Sequence, residues 1–141
     1  MKEIKFYNNY KVKTLFGRYI TNNSIEKILE EYDFNILGFS VKNLPIYSLS
    51  YGLGDVKILI WSQMHGNEST STKALFDFLS YLESYGKELK SRINLKIIPI
   101  LNPDGAKAYT RENSNNIDLN RDAVDLSQPE SKLLRNIYDE Y

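Results

Sequence analysis

Two short apolar runs, residues 56–61 (Val-Lys-Ile-Leu-Ile-Trp) and residues 95–101, leave few choices for the middle of this chain. Both have the length of strands, and nearly unbroken apolar character marks a strand buried on both faces, as in parallel sheets. Between them Ala74, Leu75, Phe78, Leu79 and Leu82 form the apolar stripe of a helix. Strand, helix, strand is a βαβ unit with a right-handed crossover. It predicts an α/β fold with a mixed, largely parallel sheet flanked by helices.

The flanking sequence adds further elements. Asn23 and Glu26 have the spacing of a helix start, with Ile25, Ile28, Leu29 and Tyr32 on one face. Residues 34–41 and 44–50 read as two strands with Asn43 in the turn between them. Gly52 and Gly54 follow, too sparse for a phosphate cradle. Asn102-Pro103-Asp104-Gly105 closes the second apolar run with turn chemistry. Residues 109–126 are polar and irregular, and a structureless stretch of that length inside a domain is usually functional. Ser127 and Glu130 then form a capping box with Pro129 in the first turn, followed by an apolar stripe of Leu133, Leu134, Ile137, Tyr138 and Tyr141. Residues 1–20 are mixed and aromatic and point to no particular element.

A chain of 141 residues supports one hydrophobic core, so residues 1–141 are read as a single domain. Lys plus Arg is 18 and Asp plus Glu is 18. That balance leaves no electrostatic footprint for nucleic acid or for an anionic membrane. No apolar run reaches the ~18 residues of a membrane span, and Met1-Lys2-Glu3-Ile4-Lys5 has no apolar leader core. A cytoplasmic location is therefore expected. The absence of cysteine removes thiolate metal sites and thiol nucleophiles. His65 is the only histidine, so a zinc site must combine it with carboxylates or take ligands from outside the chain.

His65-x-x-Glu68 lies in the loop after a buried strand, the end of an open α/β sheet where ligands bind. That gap lets an imidazole nitrogen and a carboxylate converge on one cation. A polar loop histidine beside a capping glutamate has the same spacing. In Asp118-Leu119-Asn120-Arg121 the guanidinium fork beside an amide suits a carboxylate ligand. The alternative pairs Arg121 with Asp104, Asp118 or Asp122.

Taken in order, His65-Gly66-Asn67-Glu68, Asn102-Pro103-Asp104-Gly105, Arg111-Glu112-Asn113, Ile117-Asp118-Leu119-Asn120-Arg121-Asp122 and Gln128-Pro129-Glu130 resemble the zinc carboxypeptidases of the carboxypeptidase A type. Gly38-Phe39-Ser40-Val41 and Pro45-Ile46-Tyr47 resemble that family's opening strands. The resemblance runs from Asn23 to Tyr141 and implies a zinc-exopeptidase-like fold. It makes His65 and Glu68 two of three zinc ligands and gives Asp118 the other nitrogen of His65. It assigns Asn120 and Arg121 to the substrate's terminal carboxylate and Arg111 to the developing oxyanion.

In that family the third ligand is a later histidine and the general base a still later glutamate. No histidine follows His65 here. The chain is accordingly expected to be the N-terminal portion of a zinc carboxypeptidase catalytic domain, with an incomplete Zn²⁺ site and no activity by itself. Its substrate would be a peptide C-terminus, with no nucleic acid and no membrane as partner. Surface exposed by truncation would favour self-association. Deacylases of N-acyl amino acids, of the aspartoacylase and succinylglutamate desuccinylase type, share His-Gly-Asn-Glu and Asp-x-Asn-Arg. Asn102-Pro103-Asp104-Gly105 and Pro129-Glu130 favour the peptidase. A non-catalytic carboxylate-binding or interaction module is the third possibility.

Overall fold

The computed structural model describes residues 3–141, with side chains from Phe6 onward, and shows where the two faces of the sheet go. Met1 and Lys2, part of the segment read as lacking a leader, lie outside the described residues. After a short 3₁₀ helix, Glu3–Asn9, come α1 (Asn22–Glu31), β1 (Asn35–Phe39), β2 (Pro45–Tyr51), β3 (Val56–Trp61), α2 (Thr70–Tyr85), β4 (Ile93–Ile98), α3 (Pro103–Ala108) and α4 (Pro129–Glu140). The sheet order is β1-β2-β4-β3. β1 with β2 and β2 with β4 pair antiparallel, and β3 with β4 pairs parallel, Ile58 lying opposite Leu95. The sheet is mixed and flanked by helices as expected, with one parallel pairing among the described strands.

One face of the sheet presents Leu49, Tyr51, Leu95 and Ile97 to Ile25 and Ile28 of α1 and to Leu75, Phe76, Leu79 and Leu82 of α2. The other presents Ile46 and Ile98 to Leu101, Leu119 and Ile137. Leu119 thus ties the polar loop after α3 to the core. No described helix is long and apolar enough to cross a membrane.

Four local expectations shift. α1 starts at Asn22 because the Ser24 hydroxyl accepts the Thr21 N–H at 3.1 Å, and Glu26 stays exposed. The buried face of α2 includes Thr72 and Phe76, whereas Ala74 and Phe78 face outward. Asn102-Pro103-Asp104-Gly105 is a helix start: Asn102 Oδ1 accepts the Gly105 N–H at 2.9 Å and Pro103 opens α3. Gln128, not Ser127, stands at the N-cap of α4, because Ser127 is drawn to Asp122.

β3 departs most from expectation. Its apolar run is the outer strand of the sheet, with Val56, Ile58 and Trp61 exposed. Beside it lies an apolar groove lined by Leu59, Trp61, Leu119, Leu134 and Tyr138. The chain exposes 8818 Å², against about 7,500 Å² for a compact monomer of its mass. An open edge strand with an apolar face recruits further strands. Sedimentation of the 141-residue chain is therefore expected to show association that rises with concentration, and Ile58→Lys on the edge should reduce it. A monomer at all concentrations would show that this edge does not self-pair.

Candidate active site

The loops after β3 and β4 leave the sheet side by side, because backbone pairing continues beyond both strands. Ser62 N–H bonds Ile98 O at 3.0 Å, Leu101 N–H bonds Ser62 O at 3.0 Å, and Asn102 N–H bonds Gln63 O at 3.1 Å. Gln63 holds a left-handed backbone, φ 49°. Its buried amide donates to Ile20 O (2.8 Å) and Gly66 O (2.7 Å) and accepts from Thr72 Oγ1 (2.7 Å). Asn102 Nδ2 donates to Met64 O at 3.2 Å, and Asn67 N–H to Thr110 O at 3.0 Å. Gly66 packs so tightly on the Gly105–Ala106 peptide that any Cβ there would overlap it. These bonds fix the direction of His65.

The second arm is the loop of residues 111–121. Asn113, buried, is its hub. Its Oδ1 accepts the N–H groups of Asn115 (3.0 Å) and Ile117 (3.1 Å), and its Nδ2 donates to Gln128 Oε1 (2.9 Å) and Glu130 Oε2 (3.2 Å). With Leu119 sunk in the core, Asp118 and Asn120 on either side of it stand clear of the core. Farther along, Asp122 is buried and accepts bonds from Ser127 and Gln128. Burial opposes its ionisation, but those bonds outweigh it and lower its pKa to about 2.

His65, Glu68, Arg111 and Asp118 close into a ring. His65 Nε2 lies 3.1 Å from Asp118 Oδ1, and His65 Nδ1 lies 3.3 Å from Glu68 Oε2. Arg111 reaches Asp118 Oδ2 through Nε (3.1 Å) and Glu68 Oε1 through Nη1 (3.2 Å). Burial alone would raise the Asp118 pKa. Bonds from Arg111, His65 and the Asn120 backbone reverse this and hold it below the usual carboxylate range. An ionised carboxylate can only accept, so Nε2 carries the imidazole proton. Nδ1 faces the second carboxylate, that of Glu68, and this is the edge where a cation could take the place of a proton. Imidazole nitrogen plus carboxylate oxygen is a donor set that zinc accepts. Among the described residues no group of three His, Cys, Asp or Glu side chains converges on one metal position. Asp118 does not make a third, since it sits on the opposite edge of the ring.

Asn120 and Arg121 are exposed, two and three residues beyond the aspartate bonded to His65. Arg121 is in no ion pair among the described residues. The pairing with Asp118 weighed for Arg121 is instead made by Arg111. All six residues singled out in the sequence lie on the two loops at this end of the sheet. A cavity of 590 Å³ between the N-terminal segment and α2 contains none of them. Sequence reasoning missed Gln63 and the hub role of Asn113. A lone glutamine between an apolar strand and a motif leaves no signal, whereas the Asn-x-Asn-Asn run at Asn113 is a turn signal that marks the loop without marking its hub.

The fold is that of a zinc-exopeptidase-like α/β protein. The zinc carboxypeptidase family model matches residues 36–132, and the chain belongs to that family. Carboxypeptidase SOL1 of Arabidopsis thaliana is 27% identical over 146 residues, covering 82% of this chain and 30% of that protein. Probable carboxypeptidase 2 of Arthroderma benhamiae is 26% identical over 90 residues, covering 60% of this chain and 17% of that protein. The chain thus spans less than a third of the length of these relatives. A metallo-carboxypeptidase from Pseudomonas aeruginosa superposes with a TM-score of 0.72 at 20% identity, over 86% of this chain and 37% of its own. One from Burkholderia cenocepacia gives a TM-score of 0.69 at 22% identity, over 84% and 36%. At these identities the superpositions speak for the fold.

Proposed function

We propose that this chain carries the first zinc ligands and the carboxylate clamp of a metallocarboxypeptidase, which hydrolyses the C-terminal peptide bond of peptides. One observation carries the reading: His65 is held through Nε2 by Asp118 while its Nδ1 faces Glu68. A histidine that merely lined a polar loop would not need both ring edges occupied by carboxylates.

His65 and Glu68 would hold the zinc. When bound, zinc supplies a Lewis acid for the scissile carbonyl and lowers the pKa of a coordinated water. Asp118 keeps the proton on His65 Nε2 and leaves Nδ1 as the donor. Arg121 takes the substrate's terminal carboxylate with two parallel N–H bonds, and the Asn120 amide adds a third. Arg111 brings a cation to the charge that develops on the carbonyl oxygen. The third protein ligand of a catalytic zinc, and the general base, come from outside residues 1–141 in this reading.

The test is an assay of the protein that carries this chain on free-acid peptides, on their C-terminal amides and on N-acyl amino acids. Release of the terminal residue from free-acid peptides is expected, abolished by a chelator and by His65→Ala. Cleavage of N-acyl amino acids with no action on peptides would favour the deacylase. Turnover unaffected by His65→Ala would overturn both.

A further inference from the structure

Arg111 is the cation that faces both carboxylates of the His65 ring. Glu68 divides its oxygens, Oε2 toward His65 Nδ1 at 3.3 Å and Oε1 to Arg111 Nη1 at 3.2 Å. Asp118 does the same, with Oδ1 at 3.1 Å from His65 Nε2 and Oδ2 at 3.1 Å from Arg111 Nε. No other arginine or lysine pairs with either carboxylate among the described residues. A divalent cation seated between Nδ1 and Glu68 draws on the same carboxylate charge as the guanidinium, and the two cations repel one another.

We propose that Arg111 is a counter-ion latch on this site. In the metal-free chain its Nη1 neutralises Glu68 and holds the ligand pair in place. Cation entry at Glu68 releases Nη1, while Nε stays on Asp118. The guanidinium is thereby freed at one end and anchored at the other, so the arginine becomes available to a substrate oxygen only when the cation is present. The inference rests on the reading of His65 and Glu68 as metal ligands.

Arg111 and Glu68 are both substantially exposed, 40% and 60%, so their pair is a weak one. Removing it is expected to tighten cation binding by about two- to fivefold rather than by orders of magnitude.

The experiment titrates the 141-residue chain with Zn²⁺, and separately with Co²⁺, by calorimetry. Side-chain ¹⁵N resonances of Arg111 are followed in the same titration. Arg111→Met should bind both cations about two- to fivefold more tightly than the unsubstituted chain, and Arg111→Lys should lie between. Arg135→Met, which breaks the Arg135–Asp139 pair on α4, should leave affinity unchanged. In the unsubstituted chain the Arg111 guanidinium signals should move in step with cation occupancy. Arg111→Met with equal or weaker affinity, in a chain whose binding is abolished by His65→Ala, would sink the latch and leave the metal reading intact. Arg111 signals that ignore a bound cation would do the same without any substitution. Cation binding that survives His65→Ala would sink the metal reading and the latch with it.

Discussion

Asn113→Ala is expected to lower the stability of the chain by about 3–5 kcal/mol, which for this size is roughly 10–15 °C in Tm. The side chain is 3% exposed and makes four hydrogen bonds. Its removal strands the N–H groups of Asn115 and Ile117 and takes a donor from Glu130. Burial pushes the Glu130 carboxyl up, against bonds from its own backbone, Asn113 and Val41 that pull it down. Losing the Asn113 bond raises that pKa further in the folded state. The extra penalty is absent below the unfolded pKa, near ~4.3, where Glu130 is protonated in both states. It grows as pH rises through the folded value. The destabilisation should therefore be larger at pH 7 than at pH 4. Asn115→Ala, an exposed neighbour, should cost under about 1 kcal/mol. Urea unfolding of both variants at the two pH values checks this, and a loss below about 1 kcal/mol for Asn113→Ala would remove it from the centre of the loop.

Arg121→Ala is expected to lower kcat/KM on free-acid peptides by about 30- to 1,000-fold in the protein that carries this chain. Its side chain is exposed and has no carboxylate partner among the described residues. Substitution therefore removes a ligand contact rather than a structural one. Arg121→Lys keeps the charge without the fork and should fall between. Both variants should lose the preference for a free carboxylate over an amide. Arg111→Ala should act mainly on kcat, because its charge answers one that develops in the transition state. Steady-state kinetics on a peptide and its amide decide the matter. A preference for the free acid that survives Arg121→Ala would mean that another residue is the clamp.

How far the sequence carries depends on how local each signal is. β1, β2 and β4 were legible from strand-length apolar runs and the turn at Asn43, whose φ of 60° suits asparagine. β3 was legible as a strand but not as an edge, because its place is set by pairing with residues far along the chain, Ile58 with Leu95. On α2 apolar residues lie on more than one side. Only the packing of Phe76 into the core, near Phe34, decides which side is buried. His65, Glu68, Asp118, Asn120 and Arg121 stood out because their order along the chain resembles a family. Gln63 did not, and Glu130 was legible only as a capping acid and motif residue, since its hydrogen bond from Val41 spans the chain without leaving any period in it.

The close seat of Gly66 on the Gly105–Ala106 peptide has a bearing on motion. Together with the bonds from Asn67 to Thr110 and from Asn102 to Met64, it welds the His65 loop to the start of α3. Neither segment can swing without dragging the other and breaking buried bonds, so the pair belongs to the slow-opening part of the molecule. The side chains of Asn120 and Arg121 carry no such tether among the described residues. In the proposed site, accommodation of ligands that differ in shape would then fall to the Asn-Arg side, with His65 and Glu68 held on the rigid one.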